Sequence, residues 1–173
     1  SKSIDYIVSD NVVISKSNKE FFNEKIVYLP NSYPPNDKKK IISEKIFVRS
    51  EFGLKDDQFV FCCFNNNFKI TPIIFDVWMK ILNRTNNSVI WLLEKNFLVS
   101  KNLKKEAEKR GITSTRLIFS KRIDLRQEYL ARQRLADLFL DTFPYNAHST
   151  SCDALFMGLP VLTLIGNSFQ SRI

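Results

Sequence analysis

Cysteine, glycine and histidine are scarce in this chain of 173 residues, which holds three, four and one of them. Cys62, Cys63 and Cys152 form neither a paired disulfide framework nor a metal-ligand spacing. With no CxxC pair and one histidine, these residues are not expected to bind a metal. Cys62 and Cys63 are neighbours in an apolar strand, so their side chains point to opposite faces and read as buried free thiols of a reducing compartment. Long apolar runs are missing as well. The longest, FVFCCF at 59–64, falls far short of the roughly 20 residues of a spanning helix. No basic segment followed by an apolar one opens the chain, so no secretory signal is visible. The loop FNNNFKIT (64–71) contains no glycine, which excludes both a dinucleotide fingerprint and a P-loop there.

What is present is a globular balance, 44% hydrophobic and 25% charged, enough for one ordinary core or for one domain plus part of another. The net charge of +8 suits a polyanionic ligand, and nucleic acid is one candidate. The positive residues are spread along the chain, however, and the run Lys38–Lys40 lies in a linker, so charge alone selects no partner. A first residue of serine and an abrupt stop after SFQSRI read as a piece of a longer protein.

Along the chain, IDYIVS (4–9) and IVYLP (26–30) read as strands around a short helix in SKSNKEFFNEK. NSYPPNDKKK (31–40) combines two prolines, turn formers and a lysine run, and marks a linker. Beyond it strands and helices alternate. Strands are expected at 58–64, 88–93, 116–120, 138–142 and 160–164. Helices are expected from Pro72 to about Asn83 with Thr71 as N-cap, over 99–110 ending at Gly111, over 124–134, and over Ser149–Met157. Repeated βαβ units give an α/β fold with a Rossmann-like, doubly wound parallel sheet. Ligands of such sheets bind beyond the carboxyl ends of the strands, which selects the loops 64–71, 120–129 and 142–150.

Each loop carries chemistry with a plainer alternative. Lys69 either meets a phosphate as a point charge or is a solvated lysine in an asparagine-rich turn. Ser149 and Thr150 open a helix whose unpaired N–H groups form a phosphate cradle, or one of them simply caps that helix in a box with Asp153. His148, the lone histidine, precedes them, and Asp153 is placed to accept from ribose hydroxyls or to favour the helix dipole. Arg126, Tyr129 and Arg132 fall at i, i+3 and i+6, near one helical face. They form a solvated basic face or hold a base and phosphates.

Taken together, FNNNFKI, NSVIWLL, RLIFS and above all LADLFLDTFPYNAHSTSCDALFMGLPVLTLIGNSFQSR resemble the catalytic region of the O-linked N-acetylglucosamine transferases, glycosyltransferase family 41. The resemblance extends over nearly the whole chain. It implies a GT-B fold, with residues 1–45 as the end of the N-terminal lobe plus linker and 46–173 as a truncated C-terminal, nucleotide-sugar-binding lobe. It implies transfer of N-acetylglucosamine from UDP-GlcNAc to Ser/Thr hydroxyls of proteins, with inversion, in the cytoplasm, and with tetratricopeptide repeats elsewhere in the full-length chain. By resemblance Lys69 contacts the donor diphosphate and is essential to transfer. Asn66 lies near the nucleotide, Arg126 and Tyr129 meet the uracil, and Arg132 is a nearby arginine on the same helix. His148, Ser149 and Thr150 match the phosphate-binding turn, and Asp153 holds the ribose. Asn66 stands where the family usually has Gln and Tyr129 where it often has His, so the phosphate site matches better than the base and sugar sites. The Asp-x-Asp pair of metal-dependent glycosyltransferases is missing, so no metal cofactor is expected, and the fragment alone is expected to be inactive.

Relatives that transfer glucose to Asn or fucose to Ser/Thr share much of this block. Two readings from other classes also stay open: a basic nucleic-acid-binding module, and a non-catalytic remnant that binds a partner. The first would place aromatics among clustered basic residues, whereas most phenylalanines here fall in core-pattern strands. An intact Lys69 and His148 turn argues against the second.

Overall fold

A computed structural model describes residues 3–173. Two short parallel strands come first, β1 (Tyr6–Ser9) and β2 (Lys25–Tyr28), with Tyr6 opposite Lys25 and Ser9 opposite Tyr28. Between them Lys16–Phe21 forms a 3₁₀ helix that buries none of its residues. It has no apolar stripe to dock, so it draws no packing energy for an α-helix. The linker after β2 has no regular element. It is tied back by buried Asp10, whose carboxylate accepts from the amides of Val12 and Val13 at 2.9 Å and of Tyr33 at 3.0 Å.

The second sheet is built from β3 (Phe59–Cys63), β4 (Ser88–Leu93), β5 (Leu117–Ser120), β6 (Leu138–Leu140) and β7 (Val161–Leu162). It is wholly parallel, in the order β5-β4-β3-β6-β7, with Phe61 opposite both Ile90 and Leu138. The helices α1 (Pro72–Arg84), α2 (Phe97–Lys109), α3 (Arg126–Arg132) and α4 (Ser149–Phe156) make the crossovers. Right-handed connections on either side of β3 put helices on both faces of the sheet. That is why the apolar runs of β3 and β4 are buried almost throughout.

Local chemistry explains the helix ends. The hydroxyl of Thr71 accepts from the amide of Ile74 at 3.3 Å and Pro72 takes the first helical position, where its missing N–H costs nothing. α1 then buries Phe75, Trp78, Met79 and Leu82, one stripe at helical spacing, each contributing roughly 1.5–3 kcal/mol. α2 starts two residues before the expected position because the Asn96 side chain accepts from the amide of Val99 at 2.9 Å. It ends at Gly111, whose φ of 78° lets the amide of Ile112 reach the carbonyl of Ala107. β6 and β7 are shorter than the sequence pattern predicts. Asp141 still donates its amide to the Leu162 carbonyl at 2.9 Å, but Thr142, Thr163 and Leu164 turn their polar groups to bonds across the loop that follows β6.

Candidate functional site

The strand order reverses between β3 and β6, and the loops leaving these two strands define a crevice. Buried side chains stitch the loops together. Asn65, directly after β3, donates to the Thr142 hydroxyl at 2.8 Å and to Asp141 Oδ1 at 3.2 Å. Asp141 also accepts from the amides of Thr142 and Ala147, each at 2.7 Å, and from the Thr163 hydroxyl at 2.7 Å. Asn146 Nδ2 donates to Thr163 Oγ1 and to the Leu164 carbonyl. A loop with this many internal bonds is preorganised, including its cis peptide between Phe143 and Pro144. The expected site residues do not include Asn65, Asp141 or Asn146. The available signal was a polar residue directly closing an apolar strand.

Lys69 ends a 3₁₀ turn (Asn67–Lys69) that Asn66 opens. Its ammonium donates to the carbonyl of Asn146 at 2.8 Å and lies 4.0 Å from the centre of the Tyr145 ring. Burial lowers the Lys69 pKa, and the negative charge of Asp141 acts against that. His148 stacks on the other partner of this group, Tyr145, with ring centres 5.4 Å apart and planes at 21°. Burial and then the charge of Lys69 lower the His148 pKa, so the ring is mostly neutral at pH 7, while a hydrogen bond to the Gln170 backbone pulls the other way. Its Nε2 is buried without a partner. Tyr145 is therefore the shared wall of Lys69 and His148, a role its sequence context did not mark.

α4 starts beside them. The N-cap position is His148 itself, and no side chain caps the helix. Among the described residues neither the Ser149 nor the Thr150 hydroxyl has a hydrogen-bond partner; Ser151 instead returns its hydroxyl to the carbonyls of Ala147 and His148. The capping alternative is thus corrected: both hydroxyls occupy the first turn of α4 and stay free, next to amides that lack helical acceptors. Asp153 likewise takes no part in a capping box. It is buried, and Lys40 Nζ at 2.7 Å and Arg126 Nη2 at 3.0 Å both donate to its Oδ1.

From this floor opens a cleft of about 410 Å³. Asn66, Arg126, Tyr129, Arg132, Ser149, Thr150 and Asp153 line it, together with Phe64 and Arg122. Seven of the nine expected site residues are therefore brought to one cavity, while Lys69 and His148 form the adjoining group on Tyr145. The solvated-face reading of α3 is corrected too. Arg126 is 63% exposed, but Arg132 is 1% exposed and packs on Phe64 and Trp91, its guanidinium 4.5 and 5.5 Å from their ring centres. Arg132 donates to the Lys121 carbonyl, has no partner for Nε, and has its pKa lowered by burial. The half-buried Tyr129 phenol is pushed well above its ordinary range, by burial first and then by the charge of Asp153. Chemically, the cleft offers cations, a phenol, free hydroxyl donors and a carboxylate braced by Lys40. That combination suits a nucleoside diphosphate.

Among the described residues no three His, Cys, Asp or Glu side chains gather so as to hold a metal ion. All three cysteines are free, and burial raises both strand thiols, Cys63 to about 12. Among the same residues no helix is long and apolar enough to cross a membrane.

Comparison with known proteins agrees with this architecture. Residues 38–173 match the family described as glycosyl transferase family 41. The chain is 34% identical over 175 residues to a probable UDP-N-acetylglucosamine–peptide N-acetylglucosaminyltransferase (SEC) of Arabidopsis thaliana, covering 98% of the chain and 18% of that protein. It is 37% identical over 125 residues to the UDP-N-acetylglucosamine–peptide N-acetylglucosaminyltransferase of Caenorhabditis elegans, covering 72% and 11%. A solved structure of a mutant Thermobaculum terrenum O-GlcNAc transferase superposes with a TM-score of 0.80 at 30% identity, over 99% of the chain and 32% of its own. The chain thus spans less than a fifth of the length of these two relatives and about a third of that structure.

Proposed function

The chain belongs to glycosyl transferase family 41, and on that basis we propose that it is the donor-binding part of an enzyme that transfers N-acetylglucosamine from UDP-GlcNAc to Ser or Thr hydroxyls of proteins. The observation that carries this reading is the convergence of Lys69, His148 and the uncapped start of α4 at the strand-order reversal, beside a cleft lined by three arginines, a tyrosine and the buried Asp153 carboxylate. In this reading uracil takes the part of the cleft lined by Arg126, Tyr129 and Arg132, ribose the part at Asp153, and the diphosphate the part at Ser149 and Thr150, which Lys69 adjoins. The separate small sheet of β1 and β2 supports assigning residues 1–45 to the end of a preceding lobe and 46–173 to this one.

In the reaction an acceptor hydroxyl attacks the anomeric carbon from the face opposite the diphosphate, its O–H bond breaking as the proton passes to solvent. The bond to the diphosphate breaks with its electron pair remaining on the departing oxygen. Negative charge therefore develops where the Lys69 ammonium and the α4 amides already point. Fixed donors there stabilise the transition state more than the ground state without reorganising. This supply of positive charge is why we assign the chain a metal-independent mechanism, and free thiols held protonated by burial suit a reducing, cytoplasmic setting. The test is a calorimetric titration in EDTA with UDP, ADP and GDP. UDP should bind and the purine nucleotides should bind at least tenfold more weakly; binding that requires added divalent metal, or that ignores the base, would overturn the reading.

A further inference from the structure

Lys40 belongs to the lysine run of the linker, which reads from sequence as solvated charge, yet its side chain is only 7% exposed. It crosses 113 residues of sequence to place its ammonium 2.7 Å from Asp153 Oδ1 and 5.0 Å over the Phe156 ring. We infer that Lys40 is a positioning residue for the donor: it pins Asp153 so that the carboxylate's other oxygen faces the ribose hydroxyls. The inference rests on the donor-site reading above.

Both cations of the cluster converge on Oδ1, and among the described residues the one hydrogen bond to Oδ2 comes from Arg126 at 3.4 Å, long for a charged pair. A carboxylate anchored through one oxygen cannot rotate freely, and it leaves the second oxygen with open acceptor capacity toward the cleft that Asp153 lines. Lys40 and Arg126 are not equivalent. Arg126 is 63% exposed at the cleft wall and is free to turn toward an arriving nucleotide, whereas Lys40 is enclosed. Once Arg126 engages the donor, Lys40 is the counter-charge that keeps a buried carboxylate compensated. Without it, Asp153 would draw Arg126 back onto itself. Asp153 would then lose its alignment and Arg126 its freedom.

The test compares UDP with 2′,3′-dideoxy-UDP by calorimetric titration of the protein and its Lys40→Met, Lys40→Gln and Lys40→Arg variants. Wild type should prefer UDP. Lys40→Met should lose about tenfold in UDP affinity, the scale of one charged hydrogen bond, with little change for the dideoxy analogue. Lys40→Arg should recover most of the preference. Lys40→Gln, one atom shorter and uncharged but still polar, gives the same reading if the Met variant melts too low to titrate. Equal losses for both ligands, or an undiminished preference in the Met and Gln variants, would overturn the role of Lys40 while leaving the donor site standing. Wild-type protein that binds neither nucleotide would instead overturn the donor site itself.

Discussion

Replacing Lys69 with alanine separates a catalytic phosphate contact from a structural lysine. The ammonium donates to the Asn146 carbonyl at 2.8 Å and lies 4.0 Å from the centre of the Tyr145 ring. Burial has already weakened its hold on the proton, so part of the desolvation cost is met before any ligand arrives. An ammonium has three donors, so it adds a diphosphate oxygen while keeping the Asn146 carbonyl, and that charged hydrogen bond is worth about 1.5–3 kcal/mol. Titration calorimetry should therefore show UDP binding weakened by about 10- to 150-fold in Lys69→Ala. Uridine, which lacks phosphates, should bind both proteins equally. The pH profile adds a second signature. The bound form requires the ammonium, so UDP affinity should decline as pH rises through a pKa below the ordinary lysine value of about 10.5, and that limb should vanish in the variant. A folded Lys69→Ala protein with unchanged UDP affinity, or one that loses uridine equally, would refute the assignment.

Three further outcomes follow from the same geometry. Because Ser149 and Thr150 cap nothing, replacing both with alanine should change stability by no more than about 0.5 kcal/mol while weakening UDP far more than uridine in paired titrations; equal losses would contradict the phosphate role. His148 is the only histidine, and its pKa lies below the ordinary value of about 6.5. The unfolded chain therefore takes up the proton first, and stability should fall as pH drops through 6.5 toward the lower folded value. Urea midpoints at pH 8 and pH 5 should show that part of the slope removed in His148→Asn. Asp141→Ala strands the buried amides of Thr142 and Ala147, at about 1–3 kcal/mol for each one left unsatisfied, so urea denaturation should report a loss of at least about 2 kcal/mol; a loss under about 1 kcal/mol would show that the loop is held some other way.

The fold was legible because its signals are local. Thr71-Pro72 starts α1, Gly111 ends α2, and the near-continuous apolar runs of β3 and β4 mark a sheet covered on both faces. The strand order is not local, but alternation with right-handed connections restricts it enough to select the loops that matter. The grouping of the candidate site was legible where a polar residue sits in a loop after a strand, as with Lys69 or the His148–Thr150 turn. It was not legible where the partner lies far away in sequence. Nothing near Lys40 indicates that it will reach Asp153, and nothing near Arg132 indicates Phe64 and Trp91 beneath it. Helical spacing correctly put Arg126, Tyr129 and Arg132 on neighbouring turns, yet burial differs completely between the two arginines, because the sheet covers one end of α3 and not the other. The capping alternative at Ser149 failed for a subtler reason. The helix starts at the serine itself, so its hydroxyl is already inside the first turn.

The central claim is that one nucleoside diphosphate spans the cleft from Tyr129 to the start of α4. A crystal structure of the protein with UDP tests it most directly. The account predicts the uracil against Tyr129 and the arginines of α3, the ribose on Asp153, and phosphate oxygens within hydrogen-bond distance of Lys69 and the amides of Ser149 and Thr150. UDP bound elsewhere, or bound in this cleft with its phosphates turned away from Lys69 and α4, would contradict it.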